Sequence, residues 1–179
     1  MTKADTTRDE WRARIEGAPG RRSAVGVSTA ETIRSMSGLD FLRAIVDGRL
    51  PHPPINDTLD FFLVEATKGH AVFMGEAKHA FYNPIGSVHG GWACTLLDSC
   101  MACAAQTTLA VGQGYTTVEL HVNLVRAVGA DTGRLRAEAE TIHRGSRVAT
   151  AQGRVVDVAG RLYAHGTSTC LILGPERKA

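Results

Sequence analysis

The residues best suited to chemistry lie at the start and in the middle of one apolar segment, from Gly90 to about Thr108. Gly90 and Gly91 open the segment, and Asp98 is the only formally charged residue between Lys78 and Glu119. A helix N-terminus offers free N–H groups to developing negative charge, and glycine lets a carbonyl approach the backbone closely. The pattern indicates either an oxyanion site near a carboxylate or simply a tight turn into a helix.

Asp98 is the candidate for the reactive carboxylate. Aspartate is a poor residue for a helix interior, because its side chain competes for backbone hydrogen bonds and is costly to bury unpaired. It is therefore either a nucleophile or general base, or a structural aspartate that is exposed or hydrogen-bonded. The neighbouring sequence offers no basic partner except His79 and His89.

Two further residues are candidates for the same site. His89 directly precedes the first glycine, where a histidine can cap the helix, pack its ring or act as an acid or base. Thr116 begins an alternating run, and a period of two places its side chain on the face of Val118 and Leu120, towards the helix. We therefore expect the Thr116 hydroxyl to reach the site.

A local cationic pair, Arg144 and Arg147, flanks the tight turn Arg144-Gly145-Ser146-Arg147. Such arginines are either solvated charges at the end of a hairpin or ligands for phosphate groups, which guanidinium binds through two parallel hydrogen bonds. The sequence leaves both interpretations open.

The elements that position these groups follow from periodicity and turn signals. Residues 1–36 are polar and interrupted by glycine and proline, which predicts a mobile tail with a helix near Trp11. Residues 37–175 are predicted to form a single domain that starts with a short helix capped by Ser37, with Asp40 three positions later. Two extended runs, 59–66 and 71–77, then predict a hairpin.

The apolar helix from Gly90 comes next and lacks a charged stripe, so it should be wrapped by protein on most sides. Four alternating runs follow at about 116–124, 134–140, 147–157 and 161–173, and they predict a four-strand meander. The predicted class is therefore α+β, an antiparallel sheet of about six strands wrapped around a long central helix.

Composition excludes several function classes. The 20 lysines and arginines nearly balance 18 acidic residues, a net charge of +2, so nucleic acid and membrane surfaces are not expected partners. No apolar leader or membrane span is present, and we expect a cytoplasmic protein. The four cysteines lack zinc-site spacing and predict buried thiols, with no metal.

A longer pattern carries a family resemblance. Asn83-Pro-Ile-Gly-Ser-Val-His89-Gly90-Gly91 is followed by Asp98 within Thr-Leu-Leu-Asp-Ser, and then by Tyr115-Thr-Thr-Val-Glu-Leu-His-Val-Asn-Leu-Val-Arg126. This chain resembles the PaaI-like acyl-CoA thioesterases of the hotdog fold from about Gly38 to Leu173.

The resemblance implies hydrolysis of a fatty or aromatic acyl-CoA to a free acid and CoA, without metal or organic cofactor. By motif position, Asp98 would attack the thioester or activate water, and the Gly90 N–H would form the oxyanion hole. The other residues implied in catalysis are Asn83, His89 and Thr116, and the predicted substrate-binding residues are Gly91, Thr117, Arg144, Gly145, Ser146 and Arg147.

Helix geometry adds an expectation about assembly. Gly90 and Asp98 are eight residues apart, roughly 12 Å along one helix axis at 1.5 Å per residue. One helix therefore cannot present both groups to one carbonyl carbon. Two antiparallel copies related by a two-fold axis can do so, which predicts a homodimer, alone or within a tetramer.

Two other functions fit the same fold. One is a module that binds or senses acyl-CoA without hydrolysing it, and the other is a hydratase. Release of thiol from acyl-CoA separates a thioesterase from both, because only hydrolysis frees the CoA sulfur.

Overall fold

The computed structural model describes residues 3–174. The helices are α1 (Lys3–Glu16), α2 (Ala30–Ser35), α3 (Gly38–Val46), α4 (Pro54–Leu59) and α5 (Gly90–Gln106), with short 3-10 turns at Pro19–Arg22 and His79–Phe81. The strands are β1 (Phe61–Thr67), β2 (His70–Glu76), β3 (Gly114–Leu124), β4 (Arg134–Arg144), β5 (Val148–Val156) and β6 (Leu162–Leu173).

All six strands form one antiparallel sheet in the order β1-β2-β4-β5-β6-β3. The α+β architecture expected from the sequence is confirmed. The four-strand meander is wrong, because only β4, β5 and β6 follow one another in space and β3 pairs with β6 at the far edge. Tight turns join the three meander strands, whereas residues 125–133 form a longer connection that lets β3 and β4 separate.

Helix α5 is the centre of the core. Its side chains Leu96, Leu97, Cys100, Met101 and Ala104 are completely buried, and β2, β4 and β5 cover them. Each large apolar side chain buried in this way contributes about 1.5–3 kcal/mol. The absence of a charged stripe in the sequence therefore correctly predicted a helix enclosed by the sheet.

The short helix α3 has the predicted cap. The Ser37 hydroxyl accepts the Asp40 N–H at 3.2 Å and donates to the Asp40 carboxylate at 2.6 Å. The backbone N–H of Gly38 donates to the Leu109 carbonyl at 3.1 Å, and a Cβ built on Gly38 would lie 1.8 Å from the Gln106 carbonyl oxygen. The start of α3 therefore packs directly against the end of α5.

The N-terminal region also contacts the sheet. Trp11 and Ile15 of α1 pack against a small cluster on β1 and β2, formed by Val64, Val72 and Met74. The boundary at residue 37 between tail and domain remains a prediction. No helix of the described part of the chain, residues 3–174, is long and apolar enough to cross a membrane.

We expect Ser37→Ala to lower the free energy of unfolding by about 0.5–2 kcal/mol, because it removes the side-chain acceptor at the start of α3. Urea unfolding followed by circular dichroism measures the loss. Ser35→Ala is the matched control, since the Ser35 hydroxyl donates only to the Thr32 carbonyl on an exposed helix. Equal stability of the two variants would contradict a contribution from the cap.

Candidate active site

The start of α5 is shaped by His89, which is the N-cap residue. The Nδ1 atom of His89 accepts the N–H of Gly91 at 2.9 Å, and its carbonyl accepts the N–H of Trp92 at the same distance. Within residues 3–174, the N–H of Gly90 has no hydrogen-bond acceptor. The cap therefore uses one amide of the helix terminus and leaves its neighbour available.

Gly90 borders a cavity of about 320 Å³. A Cβ built on Gly90 would lie 2.4 Å from Cδ1 of Leu124, so only glycine fits the present position of that leucine. The other lining residues are Asn83, Ser87, Val88, His89, Ala93, Val125, Arg126, Ala127, Val128 and Tyr163. A free N–H thus borders a cavity that is lined by both apolar and polar residues.

Asn83 organises the loop before α5. Its Oδ1 accepts the N–H groups of Ile85 and Ser87 at 3.1 and 3.2 Å, and its Nδ2 donates to the Ser87 hydroxyl at 3.1 Å. Gly86 completes the turn with a φ of +84°, in the region that favours glycine. The amide groups of Asn83 are thus engaged in holding the loop that forms one wall of the cavity.

Asp98 lies on the side of α5 that faces β3. It is half-buried, and its Oδ1 accepts the hydroxyl of Thr117 at 3.0 Å. A carboxylate held in this way keeps a fixed orientation while its second oxygen remains available for other contacts. The structure thus brings Asp98 together with Thr117, one of the predicted substrate-binding residues.

The placement of Thr116 beside the helix is wrong. The register of β3 against β6 shifts between Thr117 and Glu119, so Val118 is an extra bulge residue that reverses the alternation. Thr117 and Leu120 therefore oppose the buried residues Cys170 and Ser168. Thr116 is exposed on the other face, and the hydroxyl that contacts Asp98 belongs to Thr117.

The thiols near Asp98 are held in their protonated form. Burial raises the pKa of Cys103 to about 12, and the nearby Asp98 carboxylate acts in the same direction. Burial likewise raises the pKa of Tyr115 well above its ordinary value. A protonated thiol is a weak nucleophile, so the carboxylate of Asp98, and not a thiol, is the candidate nucleophile or base in this cluster.

The arginine turn lies near the start of β3, whereas Gly90 lies beside Leu124 at the end of that strand. The Gly145 N–H donates to the Val148 carbonyl at 2.9 Å, and Val148 pairs with Leu171, which pairs in turn with Thr116 near the start of β3. Arg144 donates to the Gln113 side chain at 3.0 Å, while Ser146 and Arg147 are exposed. Within one chain the turn is therefore nearer to Asp98 than to Gly90.

Apart from the arginine turn and the exposed Thr116, the predicted site residues fall into two groups. Asn83, His89, Gly90 and Gly91 lie at the start of α5, and Asp98 with Thr117 lies about 12 Å further along the helix. The sequence analysis did not identify Leu124, Arg126 and Tyr163 as residues that line the cavity. Alternation could assign Tyr163 to a face of β6, but it could not show that this face borders the start of α5.

No cluster of three or more metal-ligating side chains is found in residues 3–174.

The sequence was compared with models of known protein families. The model of the thioesterase superfamily matches residues 85–164, a range that includes α5, β3, β4 and β5. A search of curated proteins finds no match to the chain.

Several solved structures are similar to this one. A phenylacetic acid degradation-related protein from Ralstonia eutropha JMP134 is 29% identical, with a TM-score of 0.67 over 73% of this chain and 98% of its own. A point mutant of the phenylacetic acid degradation protein PaaI from Thermus thermophilus is 28% identical, with a TM-score of 0.60 over 66% and 97%. AziG from S. sahachiroi is 25% identical, with a TM-score of 0.65 over 68% and 98%.

We expect Cys103 of the folded protein to resist alkylation at pH 8, because a pKa of about 12 leaves on the order of one thiolate in ten thousand. Peptide mass spectrometry after iodoacetamide treatment, with and without urea, measures the labelling of each cysteine. Rapid labelling of Cys103 without urea would show that its thiol ionises in the folded state.

Proposed function

Because the chain is a PaaI-like member of the hotdog-fold thioesterase superfamily, we propose that it hydrolyses acyl-CoA thioesters to a free acid and CoA. The observation that supports this reaction most directly is the uncapped Gly90 N–H, which lies at the rim of a cavity at the N-terminus of a 17-residue helix. No metal or organic cofactor is part of the proposal.

The start of α5 would stabilise the reacting carbonyl. Attack on a thioester places negative charge on its oxygen, and a helix N-terminus carries a partial positive charge. Loss of one such donor typically costs about 2.7–4 kcal/mol of transition-state stabilisation. In the proposed mechanism Gly90 donates to the oxyanion, while His89 keeps the neighbouring amide occupied and Asn83 holds the preceding loop.

Asp98 would supply the attacking group. As a nucleophile, its carboxylate forms a bond to the carbonyl carbon, the C–S bond breaks, and the CoA thiolate leaves and takes up a proton; water then hydrolyses the resulting anhydride. As a general base, Asp98 instead takes a proton from the water that attacks the same carbon; the C–S bond then breaks, and the CoA thiolate leaves and takes up a proton. In both cases the Thr117 hydroxyl orients the carboxylate through the bond to Oδ1.

The separation of Gly90 and Asp98 requires two chains. The two groups lie about 12 Å apart on one helix, whereas a single carbonyl needs both within about 3–3.5 Å of its reacting atoms. A second copy related by a two-fold axis would bring its own Asp98 to the Gly90 of the first. Each dimer would then contain two equivalent sites.

Strand β3 is suited to form this interface. It is an edge strand, and Val118, Leu120 and Leu124 expose 59%, 39% and 53% of their surface. An exposed apolar edge is a template for pairing with another chain. Antiparallel pairing centred near Leu120 would set Thr117 of one copy beside Leu124 of the other, and therefore Asp98 of one beside Gly90 of the other.

The CoA portion would extend towards the arginine turn of the chain that supplies Asp98. Arg147 is exposed there, and Arg144 lies at the other end of the same turn, so two guanidinium groups would meet the phosphate oxygens. Gly145 and Ser146 would also contact the phosphates. Gly91 and Thr117 would contact the substrate near the thioester. The cytoplasmic location stays a prediction from the sequence.

We expect Thr117→Val to lower kcat for acyl-CoA at least tenfold, because the Asp98 carboxylate loses the hydroxyl that orients it. Thr116→Val is the matched control and should leave kcat within about twofold, since Thr116 faces away from the helix. A thiol-trapping dye follows CoA release, and Asp98→Asn should lower it by orders of magnitude.

Equal kcat values for the two threonine variants would remove Thr117 from the mechanism. Activity of Asp98→Asn close to that of the unmodified protein would remove Asp98 as well. Binding of acyl-CoA by the unmodified protein without any release of thiol would identify a binding module rather than a hydrolase.

We expect two inactive variants, Asp98→Asn and Gly90→Pro, to restore activity when they are dissociated and reassociated together. In a mixed dimer one site receives both substitutions and the other receives neither, so activity should rise in proportion to the heterodimers formed. Native mass spectrometry counts the heterodimers, and circular dichroism checks that both variants fold. Heterodimers without activity would show that Gly90 and Asp98 do not share a site across the interface.

A further inference from the structure

An exposed arginine that the proposed reaction does not use, Arg126, lies beside the cavity at Gly90. Arg126 lines the cavity together with Gly90, Leu124 and Tyr163. Its Nε donates only weakly to the Leu162 carbonyl, at 3.4 Å, and its guanidinium lies over the Tyr163 ring, 5.7 Å from the centroid. In the range 3–174 no carboxylate lies within 4 Å of it, whereas Arg134, Arg136, Arg154 and Arg161 all have such partners.

The Tyr163 ring beneath Arg126 is held in a fixed position. Tyr163 is 5% exposed, and its hydroxyl lies 3.4 Å from Oδ2 of Asp157. Asp157 is itself buried and accepts the N–H groups of Ala159 and Arg161 and the Arg161 guanidinium. A guanidinium stacked on a fixed ring loses little conformational entropy when it binds an anion. The exposed Arg126 side chain is therefore preorganised beside the cavity.

The size of the cavity indicates which part of the substrate this cation meets. The cavity has a volume of about 320 Å³, which equals that of a sphere about 8.5 Å across. The phosphates of CoA are separated from the thioester sulfur by about a dozen covalent bonds, on the order of 15 Å when extended. A thioester whose carbonyl lies at Gly90 would therefore place its phosphates outside this cavity, so a substrate anion that reaches the cavity would belong to the acyl group.

We propose that Arg126 is a specificity-determining residue that selects acyl groups with a second carboxylate a few carbons from the thioester, that is, dicarboxylic mono-CoA thioesters. This inference rests on the proposed function and specifies its substrate class. The apolar walls at Ala93, Leu124 and Val128 would contact the short methylene chain, and the guanidinium would bind the terminal carboxylate.

The test compares two acyl groups of equal carbon number, glutaryl and pentanoyl, each as its CoA thioester. The unmodified protein should hydrolyse glutaryl-CoA with a kcat/KM at least tenfold higher than that for pentanoyl-CoA. Arg126→Gln should remove this preference, mainly through KM, and leave pentanoyl-CoA hydrolysis within about twofold. Arg126→Lys should retain part of the preference, because it keeps the charge and loses the planar stacking.

Arg49→Gln is the matched control, since Arg49 is an exposed arginine that pairs only with Asp47 in a surface turn. Glutaryl-pantetheine, which lacks the nucleotide phosphates, should show the same dependence on Arg126 as glutaryl-CoA. An Arg126 effect that is equal for glutaryl-CoA and pentanoyl-CoA, or that vanishes with glutaryl-pantetheine, would assign the arginine to CoA and overturn the proposal.

Calorimetry on the Asp98→Asn variant separates this inference from the proposed function, because it measures binding without turnover. Tighter binding of glutaryl-CoA than of pentanoyl-CoA, lost on adding Arg126→Gln, supports the selection even if no thioester is hydrolysed. Equal affinities for the two ligands refute it even if both are hydrolysed by the unmodified protein.

Discussion

The structure depends on the burial of one helix that has almost no polar face. The residues of α5 that contact the sheet include Leu96, Leu97 and Met101, all fully buried, and an isolated helix of this composition would expose them to water. The sheet must therefore curve around the helix to cover it. This enclosure leaves few polar positions, and Asp98 and the N-terminal amides are the groups that remain available for chemistry.

Strand β3 connects the two ends of the site. Thr117 binds Asp98 in the middle of α5, and Leu124 packs against Gly90 at its start. The same strand lies at the edge of the sheet with one side unpaired. If the proposed dimer forms, a single strand both orients the carboxylate of its own chain and brings that carboxylate to the partner's helix terminus.

The positive charge beside the cavity comes from neighbouring groups and not from the net charge of the whole protein. The whole chain carries a net charge of only +2, yet the cavity has the positive end of α5 on one side and the Arg126 guanidinium on another. A protein with balanced overall charge can bind an anionic substrate only through such local groups.

The sequence by itself predicted α3, α5 and the six strands in their order along the chain. An apolar stretch without a charged stripe identified α5 as an enclosed helix, and Ser37 with Asp40 located the start of α3. These features depend on residues near one another in the chain, because helix periodicity and caps are set by local backbone geometry. The choice of Asp98 and Gly90 as candidates also needed only local spacing.

Tertiary structure decided the pairing of β3 and the identity of the hydroxyl at the site. A bulge at Val118 reverses the alternation of side chains, so Thr117 faces Asp98 and Thr116 does not. A bulge depends on the partner strand β6, more than forty residues later in the chain, and no local pattern reports it. The juxtaposition of Arg126, Tyr163 and Gly90 has the same origin, because three separate elements form that cavity only when the sheet closes around α5.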